Sequence, residues 1–336
     1  MKPTDKVKIG KAGVEVTRLG LGGAPLSGMT LAGGLYGGSA RDEAVRIIRR
    51  ANDLGVGYFD TAPLYGNGRS EARFAAALSS LPRNSFVIST KVGRVLNLKD
   101  PKRSATVAPD GLPELEAKFD LTRDGILRSL DESLKRLKMD KVEILLLHDP
   151  DVENLEDAAC KTAFPTMIRL REEGIVGAIG CGMNIWEMPA RFIKRFPLDV
   201  VLLAGRYTLL DQQALPEFLP LCVEQGVKIV VGGPYNSGIL ARDLNKPVTF
   251  NYEPAAAPLV EKAKTLKAVC DRHKVDLKAA ALQFVLAHPA IATAIPGAQT
   301  VSELEQNLSA VSVKIPVQLW AELKHEQLIP ANAPTP

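Results

Sequence analysis

The chain has 336 residues, 46% of them hydrophobic, and its 42 basic and 38 acidic residues leave a formal charge of +4. That length exceeds an ordinary small domain and suits either a (β/α)8 barrel with insertions or two moderate domains. The charges are spread along the chain without a long run of one sign, so the clustered basic face that nucleic-acid binding requires is not predicted.

Met1 to Gly10 is polar and basic and lacks an apolar signal core. Lys6 to Ile9 and Val14 to Val16, separated by Gly10 to Gly13, read as a small β-hairpin ahead of the main fold. A repeating unit follows, of short apolar strand, loop and amphipathic helix. Arg18 to Gly22 is the first strand. Ser39, with Asp42 three residues on, is expected to cap a helix whose apolar face is Ala44, Val45, Ile47, Ile48 and Ala51 before Gly55 ends it. Tyr58 to Asp60 is the second strand and precedes a helix over Ser70 to Leu78. Phe86 to Thr90 is the third and ends at Lys91. A helix over Thr122 to Leu137 leads to the apolar run Val142 to Leu147, which stops at His148. A helix ending at Gly174, a strand at Ala178 to Cys181, a helix over Ile185 to Arg195 and a strand at Leu198 to Leu203 come next. A helix over Leu215 to Gln225, a strand at Val227 to Val231, two helices between Ala257 and Ala287 and a strand at Ile291 to Ile295 complete the series.

Nearly uninterrupted apolar strands alternating with amphipathic helices are what a parallel sheet buried on both faces requires. Eight of them predict a closed (β/α)8 TIM barrel, α/β in class, with the hairpin added at its N-terminus. No break in composition marks a second domain, so residues 1–336 are expected to form one. Gly93 to Asp120 and Asn236 to Pro258 are too long to be simple connections and are expected to rise over the C-terminal face.

The four cysteines, Cys160, Cys181, Cys222 and Cys270, lie far apart without a C-x-x-C pair, which indicates neither a zinc site nor a disulfide framework. They read as reduced, mostly buried thiols. No apolar run approaches the roughly 20 residues that span a bilayer, so the protein is expected to be soluble and cytoplasmic, without membrane or nucleic-acid partners. No metal site is expected, and nothing fixes an oligomeric state.

Asp60, Lys91 and His148 each end a different strand, and Tyr65 lies on the loop after one of those ends. Each alone has a bland reading: Asp60 bonding nearby amides, Tyr65 packing at a rim, His148 lodged in the core, Lys91 as a solvated charge. In a parallel barrel all strand ends open on one face, so the four are predicted to converge. A phenol with an unperturbed pKa of about 10 is a poor proton shuttle at neutral pH, and a nearby ammonium lowers that value. Lys91 can supply the ammonium and Asp60 its counter-charge. A neutral His148 can hold a substrate oxygen against the phenol. Such a set suits proton transfer at a carbonyl or carbinol oxygen and needs a hydride carrier as its cofactor.

Gly57-x-x-Phe59-Asp60-Thr61-Ala62-x-x-Tyr65-Gly66, Ser89-Thr90-Lys91, Leu145-Leu146-Leu147-His148, Ile179-Gly180, and Ile295-Pro296-Gly297 followed by Leu304 and Asn307 resemble the aldo-keto reductase superfamily along nearly the whole chain. The resemblance implies that Asp60, Tyr65, Lys91 and His148 form a catalytic tetrad with Tyr65 as general acid/base. It also implies a nicotinamide cofactor, NAD or NADP, extended across the barrel mouth. Gly20-Leu21-Gly22-Gly23 does not match the G-x-G-x-x-G fingerprint and reads as a tight strand exit, with Gly22 and Gly23 at the cofactor's edge. Asn184, in Gly182-Met183-Asn184, replaces the usual Ser-Asn pair that holds the carboxamide. Ala204 stands where the family has Gln. Gly232, where an aromatic usually stacks on the nicotinamide, opens Gly232-Gly233-Pro234-Tyr235-Asn236-Ser237-Gly238. That segment, counting Gly232, Gly233, Pro234, Asn236, Ser237 and Gly238, suits close approach to the pyrophosphate. After the eighth strand Gly297, Gln299, Glu303, Gln306 and Asn307 are the expected nucleotide contacts. Glu303 occupies the place of the family's phosphate-binding Arg, and a carboxylate repels a 2′-phosphate while accepting hydrogen bonds from a ribose hydroxyl, so NAD is expected over NADP.

The motifs Val231-Gly232-Gly233-x-x-Asn236-Ser237-Gly238, Ala204-Gly205-Arg206-Tyr207-Thr208 and His148-Asp149-Pro150-Asp151 are similar to the branch of aldose 1-dehydrogenases (L-fucose dehydrogenases) and pyridoxal 4-dehydrogenases. In that reading the small-molecule substrate is an aldose or another cyclic hemiacetal. Rival readings are a detoxifying reductase of ketones or aldehydes, a nucleotide-sensing binding module, and an unrelated barrel acting on sugar phosphates. The substrate pocket is expected from Gly23 to Tyr36, Gly93 to Asp120, Trp186, and Asn236 to Pro258.

Overall fold

The computed structural model describes residues 1–28, 38–99 and 110–336. In chain order the strands are β1 (Lys6–Ile9), β2 (Val14–Thr17), β3 (Leu21–Gly22), β4 (Tyr58–Asp60), β5 (Val87–Val92), β6 (Arg94–Leu98), β7 (Leu115–Phe119), β8 (Ile144–His148), β9 (Ala178–Met183), β10 (Val200–Ala204), β11 (Lys228–Gly232), β12 (Thr249–Phe250), β13 (Glu253–Pro254) and β14 (Ile291–Ile295). The helices are α1 (Arg41–Asp53), α2 (Arg69–Leu78), α3 (Arg123–Leu137), α4 (Glu156–Ala158), α5 (Phe164–Glu172), α6 (Glu187–Arg195), α7 (Phe218–Gln225), α8 (Ala257–Arg272), α9 (Leu277–Ala287), α10 (Val301–Ser312) and α11 (Val317–His325). A π turn at Ala159–Ala163 joins α4 to α5.

Eight strands hydrogen-bond in the order β14-β11-β10-β9-β8-β5-β4-β3. The neighbours run parallel throughout. A parallel bridge between Leu19 and Ala294 closes the ring, with Gly20 N donating to Ala294 O at 2.9 Å and Ala294 N to Arg18 O at 3.1 Å. The (β/α)8 barrel is thus formed as expected. The β1–β2 hairpin pairs Lys6 with Thr17 and Ile9 with Val14, and Ile9 and Val16 join the cluster that fills the barrel.

Alternation along the strands decides which side chains enter that interior. Tyr58, Ile144, Leu146, Val200, Leu202 and Val230 belong to the inner cluster, whereas Phe59, Ile88, Leu145, Leu147, Val201, Leu203 and Val231 pack outward under the helices. Counting by twos from the inward residues, Asp60 and His148 fall on the barrel axis at the C-terminal ends of β4 and β8. On β5, Ser89 and Lys91 have the same inward parity because Ile88 and Val92 point out.

The structure changes several local expectations. Ser39 does not cap α1: the N-cap is Ala40, with no side-chain cap bond, and the Ser39 hydroxyl instead donates to Gln299 O at 3.0 Å. The hydroxyl lies one residue outside the helix, and the loop after β14 offers the acceptor. Helix α7 starts at Phe218 rather than Leu215, because 213–217 is spent in turns such as Leu215 N to Gln212 O. The long loop after β5 contains its own antiparallel pair, with Arg94 opposite Phe119 and Leu98 opposite Leu115. The loop after β11 contains the smaller β12–β13 pair. All four cysteines are free and buried. No helix among the described residues is long and apolar enough to cross a membrane.

Behind the sheet, Glu71 of α2 accepts from Thr90 Oγ1 at 2.8 Å and from Arg136 Nε of α3 at 2.6 Å, tying two helices to β5. His288, after α9, is buried with its ring 5.4 Å from that of Tyr207 and Nδ1 accepting from Ala290 N at 3.1 Å. Burial pushes its pKa down to about 4. An unfolded imidazole titrates near 6.5, so between those values the unfolded chain binds the extra proton. Stability from this group is complete above about pH 6.5 and is lost as pH falls toward 4. Relative to His288→Asn, which keeps an acceptor for Ala290 N, the wild-type chain is expected to lose on the order of 2 to 3 kcal/mol across that window. Urea denaturation at a series of pH values measures the difference, and parallel curves for the two proteins would refute it.

Candidate active site

Lys91 and Asp60 are both 1% exposed, so neither charge can be left to water. Lys91 Nζ donates to Asp60 Oδ2 at 2.8 Å, Asp60 Oδ1 at 3.0 Å and Thr61 O at 2.9 Å, which uses all three ammonium protons. Asp60 Oδ1 also accepts from Ser89 Oγ at 2.7 Å, and Ser89 Oγ lies 2.9 Å from the hydroxyl of Tyr58. Register makes this possible, since Asp60 is the direct neighbour of Ser89 across β4 and β5.

Tyr65 reaches the same place from the loop after β4. The loop tightens through Tyr65 N to Ala62 O at 3.1 Å, and Gly66 takes φ 68°. A Cβ at Gly66 would come within 2.8 Å of Ser27 Cβ, so glycine is required for that loop to pack under 25–28. The Tyr65 ring is half-buried, with Lys91 Nζ 4.6 Å from its centroid and the His148 ring edge-on at 5.7 Å. His148 is buried, and burial, with the charges of Lys91 and Arg94 adding to it, pushes its pKa well below the ordinary histidine range. The imidazole is therefore neutral at pH 7.

Asp60, Tyr65, Lys91 and His148 line one cavity of about 330 Å³. Its opposite wall is made of small inward residues, Gly182, Ala204 and Gly232, at the ends of β9, β10 and β11. Gly22, Gly23, Asn184, Gly233 and Gly297 line it as well. A second cavity of about 140 Å³ is lined by Pro234, Ser237, Gly238, Gln299, Glu303 and Asn307. Pro25, Gly233 and Gly297 border both, so the two form one elongated cleft over the rim.

Some expected positions serve other purposes. Asn236 is buried and spends its side chain on the Thr208 hydroxyl and on Gly205 O at 3.0 Å; it borders a small side cavity. Gln306 is exposed and bonds Lys278 Nζ and Ser302 Oγ, lining neither part of the cleft. Trp186 lies away from the mouth, in a groove between α6 and α7 beside Lys194 and Glu217, with its ring 6.4 Å from Phe218. At Gly23 a Cβ would meet Ser70 Oγ at 2.6 Å and Asp60 O at 2.7 Å, so packing alone demands that glycine. Glu303 Oε2 accepts from Gln299 N at 2.7 Å while Thr300 Oγ1 accepts from Glu303 N at 3.1 Å. Thr300-x-x-Glu303 thus works as a capping arrangement for α10, a signature present in the sequence. Of the pocket-building stretches, residues 29–37 and 100–109 lie outside the described residues.

Two residues at the site, Ser89 bonded to Asp60 and Asp149 on the cavity wall, carry no role in the reading of the sequence. Ser89 is two positions before Lys91 and shares its inward parity, which is the signal that could have found it. Pro25 and Tyr252, from two of the stretches expected to build the pocket, line the cavity. Asp149 follows His148 directly, at φ 45°, and lines the cavity. Burial raises its pKa to about 6, with Arg94 opposing.

The aldo/keto reductase family model matches residues 18–326. D-threo-aldose 1-dehydrogenase of Pseudomonas sp is 37% identical over 324 residues, covering 95% of this chain and 96% of that protein. Pyridoxal 4-dehydrogenase of Microbacterium luteolum is 35% identical over 346 residues, covering 98% and 99%. Among solved structures, the holo form of an aldo-keto reductase from Bacillus halodurans superposes with a TM-score of 0.77 at 23% identity, covering 98% of each chain, a likeness of fold. Enzymes of this family use NAD(P)(H). With the match running from the end of the N-terminal hairpin to the last helix, the chain belongs to the aldo/keto reductase family and is an oxidoreductase.

Proposed function

We propose that this chain is an NAD-dependent dehydrogenase acting at C1 of a cyclic aldose or a similar hemiacetal such as pyridoxal, with Tyr65 as general acid/base. The observation that carries the reading is the Lys91 ammonium, locked by Asp60 and Thr61 O, lying over the Tyr65 ring at the floor of a cavity continuous with a long cleft. The relatives named above support the substrate class, since their names specify an aldose and pyridoxal.

The cleft fits an extended dinucleotide. Glycine backbone at 232, 233 and 297 floors it, and Asn307, whose Oδ1 already accepts from Tyr235 at 2.9 Å, bounds its far end with an amide NH₂ still to donate. Asn184 would hold the carboxamide, and Ser237, Gly238 and Gln299 would border the phosphates. Arg242 and Lys278 line the same stretch and supply positive charge for a diphosphate. Tyr252 reaches the inner cavity from the β12–β13 turn and brings an aromatic ring to a site where Gly232 has none. The bound nicotinamide would supply the hydride acceptor. Within the chain, Tyr65 takes the proton of the anomeric hydroxyl, Lys91 offsets the resulting phenolate charge, and neutral His148 hydrogen-bonds the same oxygen to align it. Loss of a proton from the hydroxyl and of hydride from C1 leaves the lactone.

Tyr65→Phe is expected to lower kcat by a factor on the order of 10² to 10⁴. Its affinity for dinucleotide, followed by NADH fluorescence, should stay within about threefold. Turnover retained in that variant would exclude the proposed role. Oxidation of L-fucose, D-arabinose, L- and D-galactose and pyridoxal with NAD, run beside carbonyl reductions with NADH and NADPH, tests the substrate class; only the reductions proceeding would overturn it.

Glu303 carries the preference between cofactors, because its carboxylate borders the far end of the cleft. NAD is expected to exceed NADP in kcat/KM about tenfold or more, and Glu303→Arg to narrow that ratio at least as much. A wild-type preference for the phosphorylated cofactor would refute the assignment.

A further inference from the structure

Two acids line the inner cavity, Asp60 and Asp149, among its described residues. Asp60 is consumed by Lys91 and Ser89. Asp149 is not so engaged: its Oδ2 lies 3.3 Å from His148 Nε2 and 3.8 Å from Arg94 Nη2, both longer than a good charge-assisted hydrogen bond. Its side chain keeps 21% of its exposure, and that exposure opens on the cavity it lines. The turn after β8 does not need the carboxylate, since Val152 N bonds the main-chain oxygen of Asp149 at 3.2 Å and Asp149 N bonds Gly182 O at 3.0 Å. Arg94 stands behind it as a backing cation, its guanidinium 3.9 Å from the Phe119 ring centroid in the β6–β7 pair.

A carboxylate held beside the reacting centre with acceptor capacity to spare suits a ligand rich in hydroxyl donors, and it penalises a ligand that would bury it unpaired. We propose that Asp149 is the hydroxyl-recognising residue of the substrate site, accepting hydrogen bonds from hydroxyls on the carbons next to the reacting one and thereby selecting polyhydroxylated substrates over hydroxyl-free carbonyls. The inference rests on the aldose reading above and assigns its specificity to one side chain. The charged and titratable groups around Asp149 are Lys91 from β5, Arg94 from β6, His148 from β8 and Asp151 from the following turn. Burial raises the carboxyl most, Asp151 adds to it, and Arg94 and Lys91 oppose, leaving it at about 6. Recognition through the carboxylate therefore weakens as pH falls through that value.

Asp149→Asn is the test, because Asn tolerates positive φ and keeps the side-chain shape; its thermal midpoint checks the fold. The ratio of kcat/KM for L-fucose oxidation to kcat/KM for benzaldehyde reduction is expected to fall about twentyfold or more, through the KM for the sugar. The wild-type KM for the sugar is expected to climb between pH 7 and 5 and that of the variant to stay flat. An unchanged ratio, or equal losses on both substrates, overturns the proposal. Should the wild-type chain oxidise no aldose, the proposed function fails by itself. Inhibition of benzaldehyde reduction by L-fucitol then still reads Asp149: an inhibition constant about twentyfold weaker in the variant upholds the recognition, and equal constants overturn it.

Discussion

A buried ammonium that cannot leave the barrel governs this molecule. Removing Lys91 and Asp60 from water costs several kcal/mol per ion, and a salt bridge in such a place is poor evidence for stability. What the pair secures is position. Three acceptors fix the nitrogen, and one of the carboxylate oxygens is shared with a serine hydroxyl two residues back on the same strand as the lysine. That arrangement depends on β4 and β5 meeting in a single register, since a slip by one residue would turn Asp60 or Lys91 outward into the apolar layer under the helices. The geometry of the site and the barrel's strand pairing are therefore one constraint.

The rim of the barrel divides into two halves. On β4, β5 and β8 the inward terminal residues are an acid, a lysine and a histidine; on β9, β10 and β11 they are glycine, alanine and glycine. Polar groups on one side and missing side chains on the other leave a space that is both chemically charged and wide enough for a ring. At Ala204 and Gly232 the small residues leave volume. The aromatic ring and the carboxylate that reach into that volume, Tyr252 and Asp149, come from a turn and from a strand exit.

Much of this was legible in the sequence because burial on both faces forces a parallel strand to be almost entirely apolar. Ile144 to Leu147 or Ile291 to Ile295 can hardly be read otherwise, and a polar residue ending such a run announces itself. The β6–β7 pair was not legible: Arg94 to Leu98 and Leu115 to Phe119 mix exposed and buried residues, and charges interrupt the alternation. Asp149 stands in the His148-Asp149-Pro150-Asp151 motif without a role of its own, and only its positive φ and its place on the cavity wall give it one. Glu303 shows the opposite difficulty, one carboxylate with two good explanations, a helix start and a nucleotide edge. Trp186, expected among the residues that build the substrate pocket, instead packs its ring against Phe218 of α7.

The barrel is joined least firmly at one place. Strand β3 has two residues, and between it and β14 the ring is completed by a single bridge with its flanking hydrogen bonds. Gly22 and Gly23 stand on one bank of that seam and Gly297 on the other, all three bordering the cleft. A molecule bound there would touch both banks. By mass action such binding would add to the stability of the ring already closed at that seam.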